Sequence, residues 1–476
     1  MIKHNKKLLV YTLFFVVLLI SFVYRFDLLE KDRDYWHDEA FQNIYSSKEV
    51  GFILDSNDVH PPLFNLIAKF WLWINDSIFF SRLLSIIFFT AFLNTLFFFT
   101  QKYFGEITAL ISCFLFAILP TWIYYSLEFR SYMFIFMLIP LQMHYFIGIV
   151  KFKPRSYTFY SIFSILLIYS HYFTAFLIFS QIIFIIINKR KDLKELSIPY
   201  TIIFIYCLPL LMYFVQTLKK TDSFWFTDVN LYTLISTFSY MLSFPNKYSI
   251  LLFSFFVCCF FTLFYIYYGS IRTRGLLFKH KILLYQFLIP IGCLFIISLM
   301  TPIYHHRYFL FGGISIIILF ADLLSKSMKI KESLEVVGSF IIIILFIISF
   351  LSYINMSNNL DYELRDSSNF ISKVVDDRYN YTLIHSTTFS YTPFTVYLRD
   401  YDNIKNVLCT NLTERQLFTF GGSAVRHYDS IENCTKKYQD NVYFIDDKQI
   451  GEVVVWQRDG LIVSRKEMRG EVKQIK

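Results

Sequence analysis

Charge is what this chain lacks most. Only 17% of its 476 residues are Asp, Glu, Lys or Arg, against about 25% in an ordinary soluble domain, which excludes a water-soluble globular protein. Glycine (14) and proline (11) are scarce beside 57 Phe and 35 Tyr, so a collagen-like or low-complexity chain is excluded as well. No internal repeat with a period of about 20–50 residues occurs, which leaves out solenoids and propellers. The formal net charge of +9 would suit nucleic acid, but most of the excess lies in short segments between apolar runs and reads as a topology signal. No small-residue cleavage site follows the first apolar run, where the chain reads Phe22-Val23-Tyr24-Arg25-Phe26. That run is expected to stay as a helix, not to leave as a signal peptide. Of the 7 cysteines, Cys113, Cys207, Cys258, Cys259 and Cys293 lie in apolar runs and only Cys409 and Cys434 outside them. A disulfide between these two is compatible with an oxidising compartment, as are two free thiols.

What the chain has instead is apolar length. Runs at about 8–24, 78–100, 107–126, 131–150, 157–170, 172–188, 198–217, 249–269, 282–300, 308–324 and 336–354 predict about eleven crossings of a bilayer that needs roughly 20 residues each. The class is a polytopic α-helical membrane protein. If each run crosses, Lys151 to Arg155, Lys189 to Lys194, Arg272 to Lys281 and Lys326 to Lys331 all face one side, which the positive-inside tendency makes cytoplasmic, together with the N-terminus. The run 157–188 could be one tilted helix, but two crossings keep this register. The opposite side then receives 25–77, 127–130, the turn near Ser170-His171-Tyr172, 218–248, Thr301 to Arg307 and everything after about 355. Two domains are predicted: a transmembrane domain over 1–354, with 25–77 as its first outer loop, and a small extracytoplasmic α/β domain over 355–476. In the latter, Asp361 to Asp377 has helical spacing, while 381–385, 441–445 and 453–457 read as short strands. In a prokaryote the location would be the plasma membrane.

Polar residues on the outer side carry the chemistry. Trp36-His37-Asp38-Glu39-Ala40 offers two adjacent carboxylates, which would also serve as the acidic start of a helix from about Asp38. His60-Pro61-Pro62 leads into an amphipathic Leu63 to Ile74 with prolines at its first turn, suited to a membrane surface. Arg82 either snorkels to the interface or functions. Glu128-Phe129-Arg130 packs a carboxylate and a guanidinium into a short turn, where they pair with each other or Arg130 grips a phosphate. His171 is an interfacial histidine or a ligand contact. His305-His306-Arg307 is a seat for a lipid phosphate or an interfacial anchor. Paired histidines are also compatible with a metal site, though adjacent residues seldom point at one ion. A base beside cations that hold a phosphate is the equipment for moving a sugar off a lipid phosphate. A secondary transporter would place its ionisable groups near the bilayer midplane, and a receptor would leave the first outer loop unexplained.

Trp36 to Ala40, His60-Pro61-Pro62-Leu63-Phe64, Ser81-Arg82-Leu83, Glu128 to Tyr132, Tyr169 to Tyr172 and His306-Arg307-Tyr308, in that order, resemble the multi-spanning GT-C glycosyltransferases. Among these the chain is most similar to bacterial and archaeal relatives of the dolichyl-phosphate-mannose protein mannosyltransferases. The resemblance spans about 25–310. It implies a GT-C-like fold and an inverting transfer from a polyprenyl-phosphate sugar to a glycan, lipid or protein acceptor; with no second acidic motif in 127–130 beyond Glu128, no metal or other cofactor is expected, and no nucleic-acid partner. It further implies that Asp38 is the general base and that Glu39 supports it. His60 would line the pocket, and Arg130 and Arg307 would contact the donor phosphate. Where that pattern has a lone basic residue, this chain has His305-His306-Arg307, so which member holds phosphate is open.

Overall fold

The computed structural model describes residues 2–31, 35–55, 60–220, 229–243, 248–270, 277–299, 305–358, 381–385, 388–408, 441–448, 452–457 and 462–463. In chain order the helices are α1 (Ile2–Glu30), α2 (His37–Ser47), α3 (Val50–Asp55), α4 (Leu63–Ile74), α5 (Ile78–Tyr103) and α6 (Glu106–Ile118). There follow α7 (Pro120–Tyr125), α8 (Tyr132–Val150), α9 (Pro154–Ser170), α10 (Ala175–Asn188), α11 (Leu193–Lys220) and α12 (Leu231–Leu242). The last are α13 (Ser249–Ser270), α14 (Phe278–Ser298), α15 (Leu310–Ser327), α16 (Glu332–Asn358) and α17 (Thr388–Tyr397). The chain forms two compact units. One comprises 1–31, 82–212 and 226–359, and the other 32–81, 213–225 and 360–476. The segment 32–81 thus groups with the C-terminal residues.

Among the described residues the predicted apolar runs fall on helices, one of them broken. Seven stretches among the described residues are long and apolar enough to cross a membrane: Lys7–Glu30, Ile78–Tyr103, Tyr132–Val150, Ser249–Tyr268, Phe278–Ser298, His306–Ser327 and Glu332–Asn358. The stretch 157–188 divides as expected, because His171 takes extended backbone (φ −164°, ψ 126°) between α9 and the 3-10 turn Tyr172–Thr174 that leads into α10.

The run predicted as one crossing at 107–126 is instead broken at Leu119, where α6 ends and Pro120 opens α7. Proline has no N–H to offer, so the Phe116 carbonyl four residues earlier loses its helical partner. Arg25 of α1, 1% exposed, fills the break. Its guanidinium donates to the carbonyls of Ala117 (3.1 Å), Trp122 (3.3 Å) and Phe116 (3.4 Å) and stacks 3.7 Å above the Phe89 ring. Cationic donors suit a helix C-terminus, where carbonyls point outward.

Toward the end of α15, Asp322 is fully buried. A membrane carboxylate is costly unless paired; here His280 Nε2 lies 2.6 Å from its Oδ2, Lys326 also meets Oδ2, and Thr108 donates to Oδ1 at 3.3 Å. The Tyr268 hydroxyl in turn lies 2.6 Å from His280 Nδ1.

In the second unit α2 packs on α4 through Gln42, whose amide bonds Ser46 at 2.8 Å and reaches Asn65 of α4. Helix α4 buries Phe64, Asn65, Ala68 and Leu72 and leaves Phe70, Trp73 and Ile74 exposed, the outward apolar face expected of a helix lying at a membrane surface. The C-terminal α/β prediction holds. Strands β1 (Tyr381–His385), β2 (Ile404–Leu408), β3 (Asn441–Lys448), β4 (Glu452–Gln457) and β5 (Ile462–Val463) form one sheet in the order β2-β1-β3-β4-β5. β1 is parallel to β2 and β3, and the β3–β4 and β4–β5 pairs are antiparallel. Helix α17 is the connection that parallel β1 and β2 require. The predicted helix at 361–377, Cys409 and Cys434 lie outside the described residues.

Candidate active site

The predicted site residues fall into a carboxylate set in the second unit and a cationic set in the first. Helix α2 starts at His37, one residue before the predicted start, with Trp36 extended ahead of it (φ −63°, ψ 147°). Glu39 is fully buried and accepts the Trp36 backbone N–H at 3.3 Å, half of a capping box. Asp38, by contrast, is half-buried. The two adjacent carboxylates thus part company: Glu39 turns inward to tie the helix start, and Asp38 keeps access to its surroundings. Beneath them, the Tyr35 hydroxyl meets Ser81 and receives the Asn43 amide at 3.4 Å. His60, half-buried, stands at the foot of the Pro61-Pro62 entry to α4.

In the first unit the turn between α7 and α8 carries Glu128 and Arg130, 2% and 6% exposed. It is tight because the Arg130 N–H donates to the Glu128 carbonyl at 2.7 Å. Ser85 of α5 donates to that same carbonyl at 2.7 Å, one turn along from buried Arg82. The 3-10 turn His306–Phe309 belongs to the same unit and buries Arg307. His171 joins them from the α9 end, its ring 5.5 Å from that of Tyr308. Arg82, Arg130, His171 and Arg307 are therefore gathered in one unit and are all buried.

The triplet at 305–307 sorts itself by partner. His305 Nδ1 accepts the Arg307 N–H at 3.3 Å and caps the turn. His306 Nδ1 lies 2.8 Å from the Thr237 hydroxyl, with its ring 5.4 Å from Tyr240. Arg307 is the buried member, its guanidinium 5.8 Å from the Tyr308 ring. Sequence reasoning missed α12, which supplies Thr237 and Tyr240. The Tyr240 hydroxyl lies 2.5 Å from that of Tyr125, and burial pushes its pKa far up, against the weaker lowering by the Tyr125 hydrogen bond and the Arg307 charge. Trp122 locks the same corner by donating to the Met241 carbonyl at 3.0 Å. Its ring lies against Gly313 of α15, where an added Cβ would sit 2.9 Å from Trp122 Cζ2. The signal that could have found this corner was Trp122 itself, placed just before the polar turn. No group of three or more His, Cys, Asp or Glu is arranged to hold a metal ion among the described residues.

Three buried guanidiniums and one buried carboxylate in the same unit carry net positive charge, which suits a phosphate, and Arg presents the fork that binds one bidentately. Residues 59–214 match the family model described as dolichyl-phosphate-mannose-protein mannosyltransferase. No curated protein matches the chain. Among solved structures, ArnT from Cupriavidus metallidurans in the apo state superposes with a TM-score of 0.61 at 10% identity, over 94% of this chain and 94% of that one. ArnT bound to undecaprenyl phosphate does so with a TM-score of 0.55 at 10% identity, over 86% and 87%.

Proposed function

We propose that this chain, whose fold is that of ArnT and hence of the GT-C membrane glycosyltransferases, transfers a sugar from a polyprenyl-phosphate donor to an acceptor hydroxyl on the non-cytoplasmic face of the membrane. The acceptor is a glycan, a lipid or a protein, and the sugar a hexose or pentose. The anomeric carbon is inverted in a single displacement: its bond to the phosphate oxygen breaks as the bond to the acceptor oxygen forms. Asp38 takes the acceptor proton. Arg130 and Arg307 receive the charge that develops on the departing phosphate, with His171 and Arg82 beside them, while Glu39 steadies the turn that carries Asp38 and His60 lines the acceptor side. His305 and His306 shape the turn of Arg307. A positioned base contributes typically 10²–10⁴-fold, and preorganised cations at the leaving group are a comparable or larger effect.

The observation that supports this reading is the burial of Arg82, Arg130, His171 and Arg307 within one unit. The test is glycan profiling of a deletion strain of the source organism, with detection of lipid-linked sugar. Loss of one sugar and accumulation of its polyprenyl-phosphate form is expected. Both should be reversed by the wild-type chain and not by Asp38→Asn. Full restoration by Asp38→Asn overturns the proposed mechanism. Binding of undecaprenyl phosphate by purified Arg307→Ala that matches wild type removes Arg307 from the phosphate role.

A further inference from the structure

Helix α17 lies within the second unit between strand β1 and helix α2, and its two faces are differently used. Phe394 is fully buried with its ring 5.3 Å from that of His385 in β1. On another face, Thr392 and Val396, spaced i and i+4 and so one above the other on the helix, meet the start of α2. The Thr392 hydroxyl is 2.7 Å from His37 Nδ1, and both residues are buried. Val396 packs with Tyr35 and Ala40. One residue on, the Tyr397 hydroxyl accepts the Tyr35 backbone N–H at 2.5 Å. Just past the helix, Arg399 pairs with Asp76 at 2.7 Å.

These contacts bracket Asp38. Tyr35 and Trp36 precede the first helical turn, where the chain has no helical hydrogen bonds of its own to fix its direction. The anchors on Tyr35, His37 and Ala40 all come from a helix more than 350 positions along the sequence. We propose that α17 is a positioning element for the carboxylate turn. In this role Thr392 fixes the His37 imidazole and Tyr397 fixes the Tyr35 backbone, so that Asp38 is presented to the acceptor hydroxyl in one orientation. Thr392, Tyr397 and His37 are positioning residues. They touch neither donor nor acceptor, and the inference rests on Asp38 being the base. A displacement of about 1 Å at a reacting group costs on the order of 10²-fold in rate, so a single hydroxyl that governs this turn has leverage on turnover without touching the donor.

The test uses the full-length chain in the deletion strain, with membrane levels matched. Thr392→Val, Thr392→Ser and Asp38→Asn are compared for the rate at which the missing glycan returns. Each purified protein is also assayed for its thermal midpoint and for binding of undecaprenyl phosphate. Thr392→Val is expected to slow turnover at least about tenfold, with undecaprenyl phosphate affinity and thermal midpoint unchanged. Thr392→Ser, which keeps the hydroxyl, is expected to restore turnover to within about twofold of wild type. Wild-type turnover in Thr392→Val alongside an inactive Asp38→Asn overturns the inference and leaves the base in place. Loss of turnover in Thr392→Val that tracks a fallen midpoint and is not rescued by serine makes the contact merely structural, which also overturns it. A fully active Asp38→Asn is failure of the underlying mechanism, and the inference falls with it.

Discussion

His280 Nε2 lies 2.6 Å from Asp322 Oδ2, and neither side chain has any exposed surface. The carboxylate also takes Lys326 and the Thr108 hydroxyl, so it satisfies donors from three helices. Removing one partner of a buried ion pair costs about 3–5 kcal/mol, because the other charge is left uncompensated. Asp322→Ala is expected to lower stability by about that much, and Asp322→Asn by less, since an amide oxygen still accepts a hydrogen bond. Thermal midpoints in detergent check this. An unchanged midpoint for Asp322→Ala would show the cluster to be dispensable.

Arg307 is the buried member of its triplet, so replacing the fork with a point charge separates geometry from charge. Arg307→Lys keeps the cation but loses bidentate contact. Undecaprenyl phosphate affinity should fall on the order of tenfold, the equivalent of one hydrogen bond to a charged group at about 1.5 kcal/mol. His305→Ala, which leaves the charge of Arg307 untouched, should weaken binding less. Equal losses in the two variants, read by titration of purified protein, would count against Arg307 as the direct contact.

Tyr240 predicts an alkaline limit. Its buried hydroxyl holds its proton in the folded state well above the ordinary value of 10.0, whereas in the unfolded chain it ionises at about 10. Above that pH the folded state binds more protons than the unfolded one, so stability falls as pH rises; below it this contribution is complete and constant. The slope approaches about 1.4 kcal/mol per pH unit. Midpoints measured from pH 8 to 11 should drop more steeply for wild type than for Tyr240→Phe, and parallel curves would refute this.

Gly313 permits the approach of Trp122, and the added methyl of Gly313→Ala would stand 2.9 Å from the indole. Overpacking of this kind costs about 1–3 kcal/mol. It would push Trp122 from its bond to the Met241 carbonyl and loosen α12 around Tyr240. The expected signs are a lower thermal midpoint and a shifted tryptophan emission. A wild-type spectrum would show that the indole does not move.

What could be read in advance was whatever a local pattern encodes. Apolar length marked the spans, the acidic pair marked the start of α2 to within one residue, and alternation marked β1, β3 and β4. Helix α17 escaped because Thr388–Tyr397 contains Pro393 and several β-branched or aromatic residues, a composition that disfavours an isolated helix. Its helicity comes from being packed between β1 and α2. Asp322 escaped because nothing local announces a partner 42 positions away. In the candidate site, the types Asp38, Arg130 and Arg307 could be singled out in advance. How residues 305–307 sort among their partners depends on the 3-10 geometry of 306–309 and on α12, which carries no motif.

The break at Pro120 also has a consequence in time. During synthesis α1 is made some 90 residues before the carbonyls that Arg25 serves. An arginine near the end of a lone membrane helix reaches for the interface until a partner takes it up. The Phe116 carbonyl is equally ill-placed in lipid until a donor arrives. Each segment thus gains from the other's company, and loss of α1 would leave the Phe116, Ala117 and Trp122 carbonyls without this donor.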